Sequence, residues 1–316
     1  MILCVGLTPT VQRTLRFARF QLGGVNRAAE TVVTASGKAV NVARVLTTLG
    51  AGVHLVHPVG GDSGRYVAGE LAREGVHGDA IDAGEYAATR TCCTLLFADG
   101  TPTTELVEEA KPLPEAVLTQ VRRAADARLP HARAIACSGS LTPGVPDDFY
   151  AGFVAHGRDR GVRVLVDAQK GPLRAALAER PLLVKPNREE AAATLGFALS
   201  GDPLADARVA VNALLEAGAE WALVSLGKDG SLLGGRESPV RWRIGSPAVD
   251  VVNPIGSGDS LAAGALYALV EQGKSVPDAA VYGTACAAAN ALSLTSGVLL
   301  PADVARLLPL VRLATL

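Results

Sequence analysis

Short apolar runs recur along the chain with a longer helical pattern between one and the next, and this alternation constrains the fold more than any other feature. The runs are "ILCVGL" from Ile2, "VHLVHP" from Val53, "RAIACS" from Arg133, "VRVLVD" from Val162, "LLVK" ending at Lys185 and "WALVSL" from Trp221. Helical stretches begin near Val40, Gly64, Pro114, Asp147, Gly171, Asn187 and Ala205, and the last third ends in helices from about Gly258 and Pro277. Strands alternating with helices are the signature of βαβ units. The expected fold is α/β, a three-layer sandwich with a mainly parallel central sheet flanked by helices.

Two segments break the rhythm, at residues 10–34 and 87–109. Both alternate polar and apolar residues around a glycine-containing turn, as solvent-facing antiparallel strands do. They predict a small β lid over one end of the sheet, and a lid implies a reaction that must exclude water. With 316 residues, 49% of them apolar, the chain can build one large core or a core with a small appendage. A single domain over 1–316 with the two lid segments inserted is the simplest division.

Charge and cysteine usage narrow the class. The formal net charge is −1, with basic residues scattered, which is no footprint for nucleic acid. The start "MILCVGLTPT" lacks a signal peptide's basic segment and long apolar run, and no stretch reaches the ~18 apolar residues of a membrane span. A soluble cytoplasmic protein without a membrane partner is the expectation. Cys4, Cys92, Cys93, Cys137 and Cys286 form no CxxC pair and read as small buried hydrophobes. His54 and His57 lie on a strand-like segment and do not read as a metal pair.

Several motif readings fail. "ASGKAV" at 35–40 has Ala39 and Val32 where a Walker loop needs Ser or Thr and Gly. "GSGDSL" at 256–261 has Leu261 in place of the third glycine of a dinucleotide fingerprint. "IGSGD" has Ile255 where a nucleophile elbow needs Gly. What holds is Gly256-Ser257-Gly258-Asp259 in front of a small-residue helix. The backbone N–H groups of these residues point past the helix end and make an anion hole. A carboxylate there would repel a resting phosphate. It makes sense if Asp259 takes a proton from an acceptor hydroxyl while the amides stabilise a transferring phosphoryl group. Read in isolation, Asp259 would be a helix cap.

"NPIGSGDSLAAG" from Asn253 resembles the C-terminal signature of the ribokinase-like (PfkB) sugar kinases, and "SGKAVNVARVLTTLG" from Ser36 is similar to their N-terminal Gly-Gly signature. "SGSLTPGVP" from Ser138 and "VKPNREE" from Val184 match two further segments, so the resemblance spans essentially the whole chain. "GGVNRAAE" and "TRT" at 89–91 place it nearest the branch of 1-phosphofructokinase, tagatose-6-phosphate kinase and the minor 6-phosphofructokinase. The resemblance implies a ribokinase-like fold and ATP-dependent, Mg²⁺-requiring phosphorylation. Asp259 would be the base and Gly256, Ser257 and Gly258 the anion hole. Asn187 and Glu190 would order Mg²⁺ and its waters, although "PNREE" also reads as a plain helix start. Lys185, Ser225, Gly227 and Gly230 would line the nucleotide, and Asn290 would face adenine or simply pack its helix. On the acceptor side Gln12, Gly37 and Asn41 would meet sugar hydroxyls. Arg27, Lys38 and Arg90, with Ser138 nearby, would hold the phosphate of a sugar phosphate.

The sequence also departs from that pattern. Gln12 stands where the family usually has an Asp that grips two hydroxyls, and it carries no charge. Ser36 replaces the first glycine, which a negative φ would tolerate. "VDAQKG" at 166–171 keeps Asp167 but adds polar bulk, and Glu105 in "TTELVEEA" could face the lid or a partner subunit, with a solvated strand face the simpler reading. The expected acceptor is fructose 6-phosphate, fructose 1-phosphate or tagatose 6-phosphate. An unphosphorylated sugar, polyol or nucleoside is the alternative, and an inactive sugar-phosphate- or nucleotide-binding regulator is the alternative of another class. "RFARFQL" and "CCTLLF" carry enough apolar residues for a homodimer through the lid.

Overall fold

The first apolar run becomes β1 (Ile2–Val5), which is wholly buried. The chain leaves the body to form β2 (Thr10–Phe17) and β3 (Glu30–Ser36), then returns through α1 (Lys38–Thr48), β4 (Val53–Val59), α2 (Gly61–Arg73) and β5 (Gly78–Asp82). A second excursion supplies β6 (Arg90–Phe97) and β7 (Thr104–Val107). From α3 (Glu115–Arg128) the rhythm resumes with β8 (Ala134–Ser138), α4 (Phe149–Asp159), β9 (Arg163–Asp167), α5 (Lys170–Ala178) and the short β10 (Leu183–Val184). Next come α6 (Arg188–Leu195), α7 (Pro203–Ala217), β11 (Trp221–Ser225), β12 (Ser231–Gly235) and β13 (Arg241–Gly245). The chain closes with α8 (Ser257–Val270), α9 (Val276–Asn290), α10 (Pro301–Leu307) and β14 (Arg312–Thr315). This computed structural model describes residues 1–316.

The body sheet runs in the order β14-β13-β12-β11-β10-β9-β8-β1-β4-β5. From β11 to β5 every pairing is parallel, as the alternation predicts. The antiparallel edge of β12, β13 and β14 was not foreseen. β1 has β4 on one side and β8 on the other, so the order in which the sheet is built reverses there. In such sheets the carboxyl ends of the strands flanking the reversal open a crevice.

Alternate strand residues feed two cores, one on each face of the sheet. Ile2, Cys4, Leu55, Ala136 and Leu165 pack with α1, α2, α8 and α9, whereas Leu3, Val5, Val56, Cys137 and Val166 pack with α3, α4, α5 and α7. The Ala- and Gly-rich composition of α8 and α9 follows from how closely they approach. A Cβ on Gly264 would lie 2.9 Å from the Cβ of Cys286. Cys4, Cys92, Cys137 and Cys286 are buried and Cys93 is half-buried. No helix is long and apolar enough to cross a membrane.

The lid is a four-stranded sheet in the order β3-β2-β6-β7. Each excursion forms the expected antiparallel hairpin, but the two hairpins join through a parallel pairing of β2 with β6, with Gln12 opposite Cys92. The reason lies in the body. Both segments depart from the carboxyl ends of parallel strands, β1 and β5, and therefore run outwards in the same direction.

Candidate active site

Between lid and body lies a cavity of about 690 Å³, bordered by the carboxyl ends of β9, β10 and β11, the start of α1 and the start of α8. A second cavity of about 530 Å³ adjoins it and shares Ser225, Gly227, Ser257 and Gly258. Its remaining wall is mostly small and apolar, with Ala248, Val249, Leu261, Ala287 and Ala288, as a flat aromatic base requires.

The helix end between the two cavities is shaped by Gly256. Its φ of 83° places it in the left-handed region, and no side chain caps α8. A Cβ there would lie 2.6 Å from the Gly297 backbone nitrogen, so only glycine fits. Gly256, Gly258 and Asp259 keep N–H groups without a protein acceptor, whereas the Ser257 N–H donates to the Pro254 carbonyl at 3.3 Å. The expected set of four free amides is therefore three. The turn is tied down from behind, where Asn290 donates to the Ile255 carbonyl at 2.9 Å and to Ser257 Oγ at 3.1 Å, and its Oδ1 accepts from the Gly297 N–H at 2.8 Å. Asn290 is fully buried and borders neither cavity. An adenine-facing role is thus corrected: its polar atoms are spent on the loop that bears the anion hole.

Asp259 is buried, and its Oδ2 accepts from Asn41 Nδ2 at 2.7 Å. Burial, and then the nearby Asp167 carboxylate, push its pKa up from 3.8 to about 7, against the pull of Lys38, Asn41 and Lys185. That suits a group that must accept a proton near neutrality. The far side of Asn41 is held as well, since its Oδ1 accepts from Ser36 Oγ at 3.1 Å and Arg44 Nη1 at 3.4 Å. Arg44, which the sequence reading missed, is itself buried and anchored on Glu74 at 2.8 Å and the Ala35 carbonyl at 2.7 Å. Gly37 caps α1 with φ 112°, and a Cβ on it would reach 2.7 Å from the Thr8 carbonyl. Ser36 takes the preceding place without a positive φ.

Asp167 forms a second charged centre. It is fully buried and lies 3.2 Å from Lys38 Nζ and 3.1 Å from Lys185 Nζ. Burial works against its charge, but the two ammonium groups hold its pKa below the ordinary carboxylate value. Lys38 also contacts Glu190 Oε1 at 2.9 Å. Burial opposes its charge too, yet Asp167, Glu190 and Asp259 together hold its pKa above the usual value. Lys38 thus stands among three carboxylates, Asp167, Glu190 and Asp259.

Asn187 and Glu190 close a reciprocal capping box at the start of α6. The Glu190 N–H donates to Asn187 Oδ1 at 2.7 Å and the Asn187 N–H to Glu190 Oε2 at 2.9 Å. Both residues border the main cavity, but no cluster of three or more carboxylate, His or Cys groups is present to grip a metal directly. This donor set fits a Mg²⁺ ion held by nucleotide phosphates and water, with Glu190 in reach of the hydration shell.

Across the cavity the lid presents Thr10, Gln12, Arg90, Cys92, Glu105 and Val107. Gln12 is buried and donates from Nε2 to Thr94 Oγ1 at 2.8 Å. Arg90 has a buried Nε without any protein partner. Glu105 is exposed on β7, as the solvated-strand reading expects, and it also borders the cleft. Alternation alone distinguishes the two faces of a strand, not which of them a cavity lies against. Arg27 is exposed on the β2–β3 loop and does not border the cavity. Ser138 lies beneath it, buried against a small separate space beside Thr8, Gly37 and His57.

An anion-binding helix end, a buried carboxylate of raised pKa beside it and a β lid facing them across a cleft make this an α/β protein of the phosphotransferase type. The sequence matches the family described as pfkB family carbohydrate kinase over residues 1–302, and the chain belongs to that family. Phosphofructokinase-2 from Escherichia coli, in a complex with fructose 6-phosphate, is 25% identical with a TM-score of 0.82, over 98% of both chains. A protein described as a possible 1-phosphofructokinase from Thermotoga maritima has a TM-score of 0.89 at 22% identity, over 100% of this chain and 99% of the other. A carbohydrate kinase from Agrobacterium tumefaciens has a TM-score of 0.74 at 23% identity, over 100% of this chain and 99% of the other. These two share the fold.

Proposed function

We propose that this sugar kinase transfers the γ-phosphoryl group of ATP to a hydroxyl of a phosphorylated ketohexose, with fructose 6-phosphate, fructose 1-phosphate and tagatose 6-phosphate as the acceptors to test. The observation that carries the reading is Arg90, which borders the cleft and whose guanidinium makes only one long bond, from Nη1 to the Glu108 carbonyl at 3.4 Å, while its buried Nε has no protein partner. A buried guanidinium nitrogen left open is costly unless a ligand completes it, and a phosphate oxygen does so well. The nucleotide would lie with its base in the small-residue cavity and its phosphates at the start of α8. Asp259 Oδ takes the proton of the acceptor hydroxyl as the new oxygen–phosphorus bond forms and the bond to the ADP oxygen breaks. The Gly256, Gly258 and Asp259 amides receive the charge of the transferring group, with Lys38 and Lys185 near its path. Mg²⁺, held by phosphates and water near Asn187 and Glu190, would neutralise charge on the nucleotide.

One observation favours the unphosphorylated alternative. Arg27 is out of reach and Lys38 is engaged by two carboxylates, so Arg90 is the lid's one cation bordering the cleft. ADP release with Mg²⁺-ATP, measured against paired sugars with and without a phosphate, decides between the readings. Turnover confined to phosphorylated ketoses is expected, with Arg90→Gln raising the acceptor KM about 10- to 100-fold and leaving the ATP KM within twofold. Turnover confined to unphosphorylated acceptors, with Arg90→Gln silent, would sink the phosphate assignment.

A homodimer through the lid belongs to the same proposal. Phe17, Phe20 and Phe97 pack mainly on one another, but Leu22, Val25, Leu106 and Val107 are exposed on lid segments. Light scattering is expected to give twice the chain mass, and a monomer at working concentration would remove the dimer.

A further inference from the structure

We infer that Glu105 on β7 is the carboxylate that grips the acceptor's hydroxyls, standing in for the charge that Gln12 lacks. The inference rests on the sugar-kinase reading above and concerns specificity within it. Five carboxylates besides Glu105 border the main cavity; Asp229 lies where it meets the small-residue cavity, away from the lid, and the other four are already engaged. Asp167 holds two lysines, Glu190 holds Lys38 and the Asn187 N–H, Asp259 holds Asn41, and Glu189 pairs with Arg188 at 2.9 Å. Glu105 takes part in no ion pair, although it borders the same cleft as Arg90.

Its position is fixed by the lid's pairing. Glu105 stands opposite Thr94 in the β6–β7 register, and the Thr94 hydroxyl oxygen accepts from Gln12 Nε2 at 2.8 Å. That register sets the Glu105 carboxylate next to the Thr94 hydroxyl on the same face of the lid sheet. Gln12, Thr94 and Glu105 therefore form a row on one face of three adjacent strands, with Gln12 bonded to Thr94. It ends on a carboxylate that retains acceptor capacity for sugar hydroxyls, and it leaves Gln12 Oε1 as a second acceptor. One lid thus offers a cation for a phosphate and a carboxylate for hydroxyls, the complementary pair that a polyol phosphate needs. A carboxylate accepting from hydroxyls binds them more strongly than an amide does, so relocating the charge from position 12 to position 105 preserves affinity while moving the point of grip.

The test compares wild type, Glu105→Gln and the double variant Gln12→Asp/Glu105→Gln on the best acceptor found by the ADP-release screen, with acceptor binding measured in parallel by calorimetry. Glu105→Gln is expected to raise the acceptor KM and Kd about tenfold or more, with the ATP KM and the melting temperature little changed. The double variant is expected to recover most of the loss, which a merely structural role would not produce. Acceptor analogues lacking one hydroxyl extend the comparison. The analogue missing the gripped hydroxyl should bind wild type and Glu105→Gln equally. If the intact acceptor and every analogue bind wild type and Glu105→Gln alike, the role of Glu105 is overturned but the kinase reading stands. A protein that neither binds nor phosphorylates any sugar overturns the kinase reading, and Glu105's role with it.

Discussion

Asp259→Asn is expected to lower kcat about 10²- to 10⁴-fold, the usual contribution of a positioned general base, with the ATP KM little changed. The substitution keeps the shape and can keep a contact with Asn41, so the loss reports the missing proton acceptor. The same variant should be more stable than wild type at alkaline pH. Burial and Asp167 raise the carboxyl pKa from 3.8 to about 7 in the folded protein. Between those values the folded chain binds a proton that the unfolded chain has released, so the group's favourable effect is full at low pH and is lost as pH rises through about 7. Removing the charge therefore raises the melting temperature at pH 8 and changes it little at pH 4. Wild-type kcat/KM should follow the opposite course on its acid limb, rising through about pH 7 as Asp259 ionises. Full turnover by Asp259→Asn would remove Asp259 from the role of base, whereas an acid limb centred near pH 4 would overturn only the raised pKa.

Parts of the fold and site are legible in the sequence and parts are not. The body could be read because each parallel strand is short, apolar and bounded by helices, and the anion hole because its glycines are adjacent in the chain. The edge strands β12 to β14 escaped because "SLLGG", "RWRIG" and "RLAT" carry glycines and arginines and have no helix to punctuate β11 from β13. The charged centre escaped for a different reason. Lys38, Asp167 and Lys185 come from the start of one helix and the ends of two strands, and only the sheet order brings both lysines within 3.2 Å of the Asp167 carboxylate. Likewise the motif places Asn41 at the cavity, which it borders, but does not reveal that its amide also donates to Asp259. Local pattern identifies which residues approach the cleft. It does not assign their partners when those lie more than a hundred residues away, as Asn41 and Asp259 do.

The anion hole supplies the second large effect. Gly256→Ala is expected to lower kcat at least about 10²-fold, because the added Cβ meets both a conformational and a steric barrier. At φ 83° an alanine is strained, and its Cβ would lie 2.6 Å from the Gly297 nitrogen and 2.9 Å from the Ser296 Cβ. Gly297 cannot yield, since a Cβ at its own position would already approach Asn41 to 2.8 Å and its N–H is held by Asn290. The displacement must therefore fall on the amides of Gly258 and Asp259, or pass through Gly297 to Asn41 and so to the base. Either route moves the donors relative to the carboxylate, and a shift of about 1 Å in such an array costs orders of magnitude in rate. Gly69→Ala is the control, because that glycine lies within α2 with nothing near its Cβ and no positive φ. It should keep full turnover and gain about 0.5–1 kcal/mol of stability from helix propensity. If Gly256→Ala turned over as fast as Gly69→Ala, with melting temperature and ATP affinity unchanged, the start of α8 would not be where the phosphoryl group is stabilised. Lys38 and Lys185 would then have to carry that charge alone.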